Sequence, residues 1–350
     1  MAFDPVQEDC LRLILSAMKR ERVYPLENGP YVNSRIKMFE QDPDSLIEND
    51  ADRAFHLVVR ATELLDYQLP FVLSDAKADE MLAQAEALLA EAASLDPGNW
   101  DAQRMLAALH MPGADDYYRY LDEHADEVLA SYTEAVESAS DAYSREYASD
   151  LARRPYLRWL ASLASKALIA GHYGRSLDAA MKSLSLAPDD PADVRLTALY
   201  ALAKLERGAD EIDRLCAASP IALYPRPRMV AWELIARLSI AYKELDAAAA
   251  DRCVDDIFSA YPGAARVLYQ QTEFPDGIFS RVNTLSGSDD ELALAISEAT
   301  PLLQEGAGAP DAASFAVWLA EHPRVQLDMD GADRARRRTA PHRPRPEDDN

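Results

Sequence analysis

The chain has 350 residues, 49% of them hydrophobic, enough to bury a large core and, by length alone, to form two or three domains. Its 60 acidic against 36 basic residues give a formal charge of −24, which disfavours a general nucleic-acid-binding body and favours basic or neutral partners. The three scattered cysteines, Cys10, Cys216 and Cys253, exclude a disulfide framework and a cysteine-rich metal site and fit a reducing, cytoplasmic setting.

The first predicted helix is capped by Asp4, takes Pro5 at its first position and ends by Arg22. Val6, Leu11, Leu13, Ile14, Leu15 and Met18 give it one broad apolar side. From 23 to 52, Pro25, Gly29, Pro30 and Pro43 mark a connection with one short helix near 34–39. Helix resumes over 51–67 and again over 75–95, where Leu82, Ala85, Leu89 and Ala92 recur every three or four residues. Asp96-Pro97-Gly98-Asn99 stops that helix, and another covers 100–110. After Met111-Pro112-Gly113 a long helical region runs over 115–152, its stripe built from Tyr117, Tyr118, Tyr120, Leu121, Val128, Leu129, Tyr132 and Val136. A hairpin over 157–190 follows, then helices over 192–207 and 210–218, and a pair over 229–242 and 246–261. The only extended candidate lies at 277–282, and two closing helices are predicted over 289–300 and 312–321.

The hairpin at 157–190 carries the clearest pattern: Leu160, Leu163 and Ala164 on one helix, Gly171 at the turn, Tyr173, Ser176, Ala180 and Leu184 on the second, and Pro188 at the exit. These residues resemble the tetratricopeptide repeat, a helical hairpin of about 34 residues whose copies stack on one another. Ala180 is smaller than the aromatic residue usual at its place. A second copy ends at Pro97 with Ala85, Leu89, Ala92 and Leu95-Asp96-Pro97, its first helix placed near 66–73 despite Pro70. A third ends at Pro262 with Leu234, Leu238, Ala250, Val254 and Ile257 and lacks the turn glycine. The order of segments, including Arg154-Pro155-Tyr156-Leu157-Arg158 and Leu186-Ala187-Pro188-Asp189-Asp190, is also similar to uncharacterised bacterial repeat proteins related to the suppressor-of-tumorigenicity-seven family.

The resemblance implies an all-α fold, an α–α superhelix of hairpins with helical additions at both ends. The expected division is an N-terminal helical segment over 1–65, a repeat domain over 66–270, a helical cap over 271–327 and a disordered arginine- and proline-rich tail over 328–350. In this family the first helix of each hairpin lines a concave groove. Its inward positions fall here on Asp101, Arg104 and Ala108, on Arg158, Ala161, Ser165 and Leu168, and on Ala192, Arg195, Leu199 and Leu202. Arg104, Arg158, Ser165, Arg195 and Leu199 are therefore the expected partner-binding residues, suited to a peptide that presents a carboxylate to the guanidinium fork. The competing reading is that these arginines pair with nearby carboxylates of the same chain. The family's carboxylate clamp of lysines and asparagines is missing.

Catalytic signatures are absent. His56, His110, His124, His172, His322 and His342 form no His-Glu-x-x-His pair, Asp42-Pro43-Asp44 lacks the glycine and twelfth-position carboxylate of a cation loop, and Gly306-Ala307-Gly308 has no third glycine. The nearest metal candidate, His110 with Asp115, Asp116 and His124, is interrupted by Pro112 and Gly113. No cofactor, metal or enzymatic activity is expected, although a site assembled from distant loops is invisible to this kind of reading. The start of the chain has no basic stretch followed by an apolar run, and no apolar stretch reaches about 18 residues, so neither export nor a membrane span is expected. The leading expectation is a cytoplasmic protein-interaction scaffold. The alternative is tethering to nucleic acid or another polyanion through Arg334, Arg336, Arg337, Arg338, Arg343 and Arg345.

Overall fold

The computed structural model describes residues 4–23, 28–111, 113–138, 142–218 (backbone alone for 142–148), 230–274, 284–304 and 314–329. The strand candidate at 277–282, the Gly306-Ala307-Gly308 segment and the tail arginines Arg334, Arg336, Arg337, Arg338, Arg343 and Arg345 lie outside them. Among the described residues every regular element is helical. They form two compact units, one from the residues up to Leu205 together with 214–218, the other from Glu206–Asp213 and the described residues from Val230 onward.

In the first unit, α1 (Pro5–Glu21) starts as expected, with the Asp4 side chain accepting from Gln7 N at 2.9 Å. The next helix is much longer than the six residues anticipated: α2 is Gly29–Gln41, and a 3₁₀ turn comes next at Pro43–Leu46. Pro30 and Pro43 each sit in a first turn, where the missing N–H has no helical partner to lose, so neither breaks the structure. The helix α3 (Asp50–Thr62) runs into a π-helical turn at Glu63–Gln68 and a 3₁₀ turn at Leu69–Phe71.

Then come α4 (Asp75–Leu95) and α5 (Trp100–His110), both with the expected bounds. The helix paired with α4 is α3, through Ala54, Leu57, Val58 and Ala61 against Ala85, Leu89 and Ala92. It is not the segment near 66–73, because Pro70 belongs to the 3₁₀ turn and Phe71 and Leu73 are exposed. The hairpin thus begins well before residue 66.

The long helical region also resolves differently. It consists of α6 (Ala114–Glu137) and α7 (Ala142–Ile169), and the second runs through Pro155 into the first helix of the central hairpin. Along it Leu157, Leu160, Leu163, Ala164 and Ala167 are buried. Its turn to α8 (Tyr173–Leu186) uses Gly171 at φ 84°, and His172 N bonds Ala167 O at 2.7 Å, closing the helix as a left-handed C-terminal residue does. The buried Ser176 hydroxyl donates to Ala164 O at 2.7 Å, which holds the two helices at small-residue distance with Ala180. The helix α9 (Val194–Lys204) packs on both α7 and α8.

The helix α10 (Ala209–Ala217) is divided between the two units. In the second unit α11 (Ala231–Lys243) and α12 (Ala247–Ala260) form the third hairpin, succeeded by α13 (Ala264–Gln270), a helix not among those expected. The closing elements are α14 (Asp289–Glu298), α15 (Thr300–Leu303), α16 (Ser314–Ala320) and helical residues 323–329. Glu291, fully buried, accepts from Val230 N, Ala231 N, Gly287 N and the Tyr261 hydroxyl. It thereby ties α11, α12 and α14 together. Among the described residues no helix is long and apolar enough to cross a membrane.

Candidate functional site

Where α1, α3, α5 and α7 meet, the first unit contains a cleft of about 400 Å³ including its open mouth. One wall is apolar: Pro5 from α1, Phe55, Val58 and Val59 from α3, and Met105 from α5. The other is polar: Thr62, Tyr67 from the π-helical turn, Asp101 and Arg104 from α5, and Arg158 from α7. Asp101 and Arg104 are three apart, so they share a helix face and point at the same neighbour.

Arg158 is 7% exposed and fully engaged. Its Nε and Nη2 donate to the two carboxylate oxygens of Asp101 at 2.7 and 2.5 Å. Nη1 donates to Glu8 Oε2 at 2.8 Å, across 150 residues of chain. Glu8 also receives Arg12 at 2.8 Å and lies 3.4 Å from Arg154. Burial alone would push the Glu8 carboxyl up, but the Arg158, Arg12 and Arg154 guanidinium groups outweigh it and hold it down at about 2. The Arg158 guanidinium is itself held above its ordinary value: burial acts against the charge, and Asp101 and Glu8 overcome it.

Arg104, 6% exposed, donates from Nη1 to Ser162 Oγ at 3.3 Å and lies 3.7 Å from Asp101, while its carbonyl accepts from the Tyr117 hydroxyl at 3.0 Å. Next to the cleft, Asp66 sits in the π-helical turn with Oδ2 buried and no hydrogen-bond partner. Burial raises its carboxyl to about 6, with Arg104 pulling weakly the other way. A π-helical turn inserts one extra residue per turn and so rotates the chain beyond it, which is how Tyr67 comes to line the cleft although Thr62 lines it too.

The structure thus brings Asp101, Arg104 and Arg158 to one place. It does not bring Arg195, which lies 3.8 Å from Asp190 and donates from Nη1 to the carbonyls of Leu215, at 2.6 Å, and Ala218. Ser165 is half-buried and Leu199 is buried at 2% exposure. The arginines read from the register are therefore paired within the chain. For Arg195 the cause is Asp190, whose carboxylate caps α9 by accepting from Val194 N and Arg195 N.

Glu8, Asp66 and Tyr67 were not anticipated. Glu8 had a signal: it stands on the same helical stripe as Leu11, Leu15 and Met18, where an acidic residue faces the body. Asp66 had none, because nothing in the sequence marks a π-helical turn. Of the metal candidates, His110 bonds Glu86 at 2.9 Å and His124 bonds Tyr120 O at 2.9 Å. Among the described residues no group of three or more His, Cys, Asp or Glu is placed to hold a metal ion.

Compared with protein-family models, with curated proteins and with solved structures, the chain matches none of them.

Proposed function

We propose that the protein is a non-enzymatic interaction scaffold of the tetratricopeptide kind, a cytoplasmic α–α superhelix that holds a partner segment against the α5–α7 face. The observation that supports this is the Arg158 site. A guanidinium at a register position assigned to partner contact grips the carboxylate of a helix from elsewhere in the chain, beside an apolar wall of Phe55, Val58 and Met105. The same chemistry suits a protein segment that presents a carboxylate next to apolar side chains, since a fork of parallel N–H donors fixes both position and orientation.

The test is selection from a displayed peptide library on the full chain. The expected result is enrichment of peptides with an acidic residue flanked by apolar ones. Tyr67→Ala and Met105→Ala, which reshape the cleft, should weaken those peptides at least about tenfold, or about 1.4 kcal/mol, with helicity unchanged. Enriched peptides indifferent to acidic content, or to both substitutions, would refute the proposal.

A further inference from the structure

The short segment that joins the Leu69–Phe71 turn to α4 leaves two large apolar side chains in water. Phe71 is 73% exposed and Leu73 fully exposed. Single apolar side chains on a surface are ordinary, but a neighbouring pair is a patch. Val72 and Ser74 have extended backbone, at φ −86°, ψ 120° and φ −104°, ψ 119°. Successive side chains alternate along extended chain, so Phe71 and Leu73 stand on one side, about 6–7 Å apart, and the half-buried Val72 on the other. The result is a ridge with two apolar knobs.

The ridge is held at both ends. Pro70 fixes the backbone of the turn, Val72 N bonds Leu69 O at 3.0 Å, and Ser74 O accepts from Ala78 N at 2.9 Å as α4 begins. Little conformational freedom is therefore left to lose when the two side chains enter a partner. Beside the ridge, α4 opens with carboxylates. Asp75 and Asp79 are four apart and share a face, Glu80 comes next, and all three are exposed. Lys77 is the single cation among residues 75–80.

That charge decides between the surfaces that could cover the ridge. A second copy meeting it face to face brings the same carboxylates against these, and a membrane surface carries negative charge of its own, so both are repelled. A protein with an apolar groove and a rim of lysine or arginine gains twice, by burying Phe71 and Leu73 and by pairing with Asp75, Asp79 and Glu80. We infer that residues 70–74 are a docking ridge, whose Phe71 and Leu73 enter an apolar, basic-rimmed groove of a partner protein. This inference does not rest on the reading of the α5–α7 face, which it neither uses nor adjoins in its argument: there the chain receives a segment, and here it offers one.

The test uses a displayed random-peptide library selected on the full chain, with the enriched peptides then measured against variants. A class that combines apolar residues with lysine or arginine is expected, and Phe71→Ser and Leu73→Ser should each weaken it at least about tenfold. Asp75→Lys together with Asp79→Lys should weaken the same peptides at least about tenfold, and added salt should weaken their binding to the wild type. Both apolar side chains are exposed, so circular dichroism should show the helices of every variant intact. Met105→Ala, which reshapes the cleft, should leave this class unchanged, so failure of the ridge and failure of the α5–α7 reading are told apart. The inference is overturned if no enriched peptide responds to Phe71→Ser and Leu73→Ser, or if those that respond carry no basic residue. It is equally overturned if sedimentation equilibrium finds a dimer that Leu73→Ser abolishes, making a second copy the occupant. Binding to phosphatidylcholine vesicles that Leu73→Ser abolishes would overturn it in favour of a lipid surface.

Discussion

Arg158 and Glu8, 150 residues apart in sequence, share two hydrogen bonds, Nη1 to Oε2 at 2.8 Å and Nη2 to Oε1 at 3.4 Å. With Asp101 they make a buried triad in which each charge is tolerable only because the others are present. Arg158→Met removes the one cation bonded to both buried carboxylates, leaving Glu8 to Arg12 and Arg154 and Asp101 to Arg104 at 3.7 Å, and is expected to lower the unfolding free energy of the first unit by about 3 kcal/mol. Combining it with Glu8→Leu and Asp101→Leu should recover most of that loss. Urea denaturation followed by the fluorescence of Trp100 and Trp159 measures both; a triple variant no more stable than the single one would contradict the argument.

Asp66 and Glu8 give opposite pH dependences. Glu8 is held at about 2 against an ordinary 4.5, so its stabilising contribution is complete above about 4.5 and is lost as pH falls toward about 2. Asp66 is raised from 3.8 to about 6, so the folded form binds its proton more tightly and stability from this group declines as pH rises from about 4 to about 6. Asp66→Asn should therefore match the wild type near pH 4 and exceed it by about 1–3 kcal/mol at pH 7. A stability difference that does not change between these pH values would refute the assignment.

The turn between α11 and α12 shows what a missing glycine costs. Leu245 adopts φ 59° and is 88% exposed, and Asp246 N bonds Ala241 O at 3.0 Å, as His172 N bonds Ala167 O at the Gly171 turn. A side chain in the left-handed region is strained by about 1–2 kcal/mol, part of which glycine gives back through its larger unfolded-state entropy. Leu245→Gly is expected to stabilise the second unit by about 0.5–1 kcal/mol, seen as a higher midpoint in thermal unfolding monitored by circular dichroism. No gain would mean that the exposed leucine has packing of its own.

Glu291 accepts from the Tyr261 hydroxyl at 2.6 Å, and burial together with this carboxylate pushes the phenol well above its usual range. Glu291→Ala strands two backbone N–H groups at the start of α11 and the buried hydroxyl, with an expected cost of about 3 kcal/mol or more. The loss should appear in the fluorescence of Trp232 and Trp318. Equal destabilisation reported by Trp100 and Trp159 would show that the two units unfold as one.

The helices were legible where the apolar period is uninterrupted and the stop signals are local. The bounds of α4 and α5 follow from Leu82, Ala85 and Leu89 and from Asp96-Pro97-Gly98-Asn99. Proline was over-read at Pro30 and Pro43, where it opens a helix, and Pro155 lies inside α7. The pairing of α3 with α4 was hidden because α3 ends in a π-helical turn, which disrupts the periodic pattern just where the hairpin should close. At the site, Asp101, Arg104 and Arg158 meet on the neighbouring helices α5 and α7, whereas Arg195, which the register groups with them, pairs with Asp190 instead. The Arg158 counterion Glu8 was out of reach, because a contact across 150 residues depends on how α1 docks, and helical periodicity carries no record of that.

The helix α7 packs on α6 and also on α8 and α9, and runs on through Pro155. It therefore belongs to two hairpins at once and supplies no seam at which a single copy could be excised, duplicated or expressed as a fragment. Split versions of this protein should reassemble when the chain is cut at the Met111–Gly113 junction, and fail to do so when the cut falls within α7.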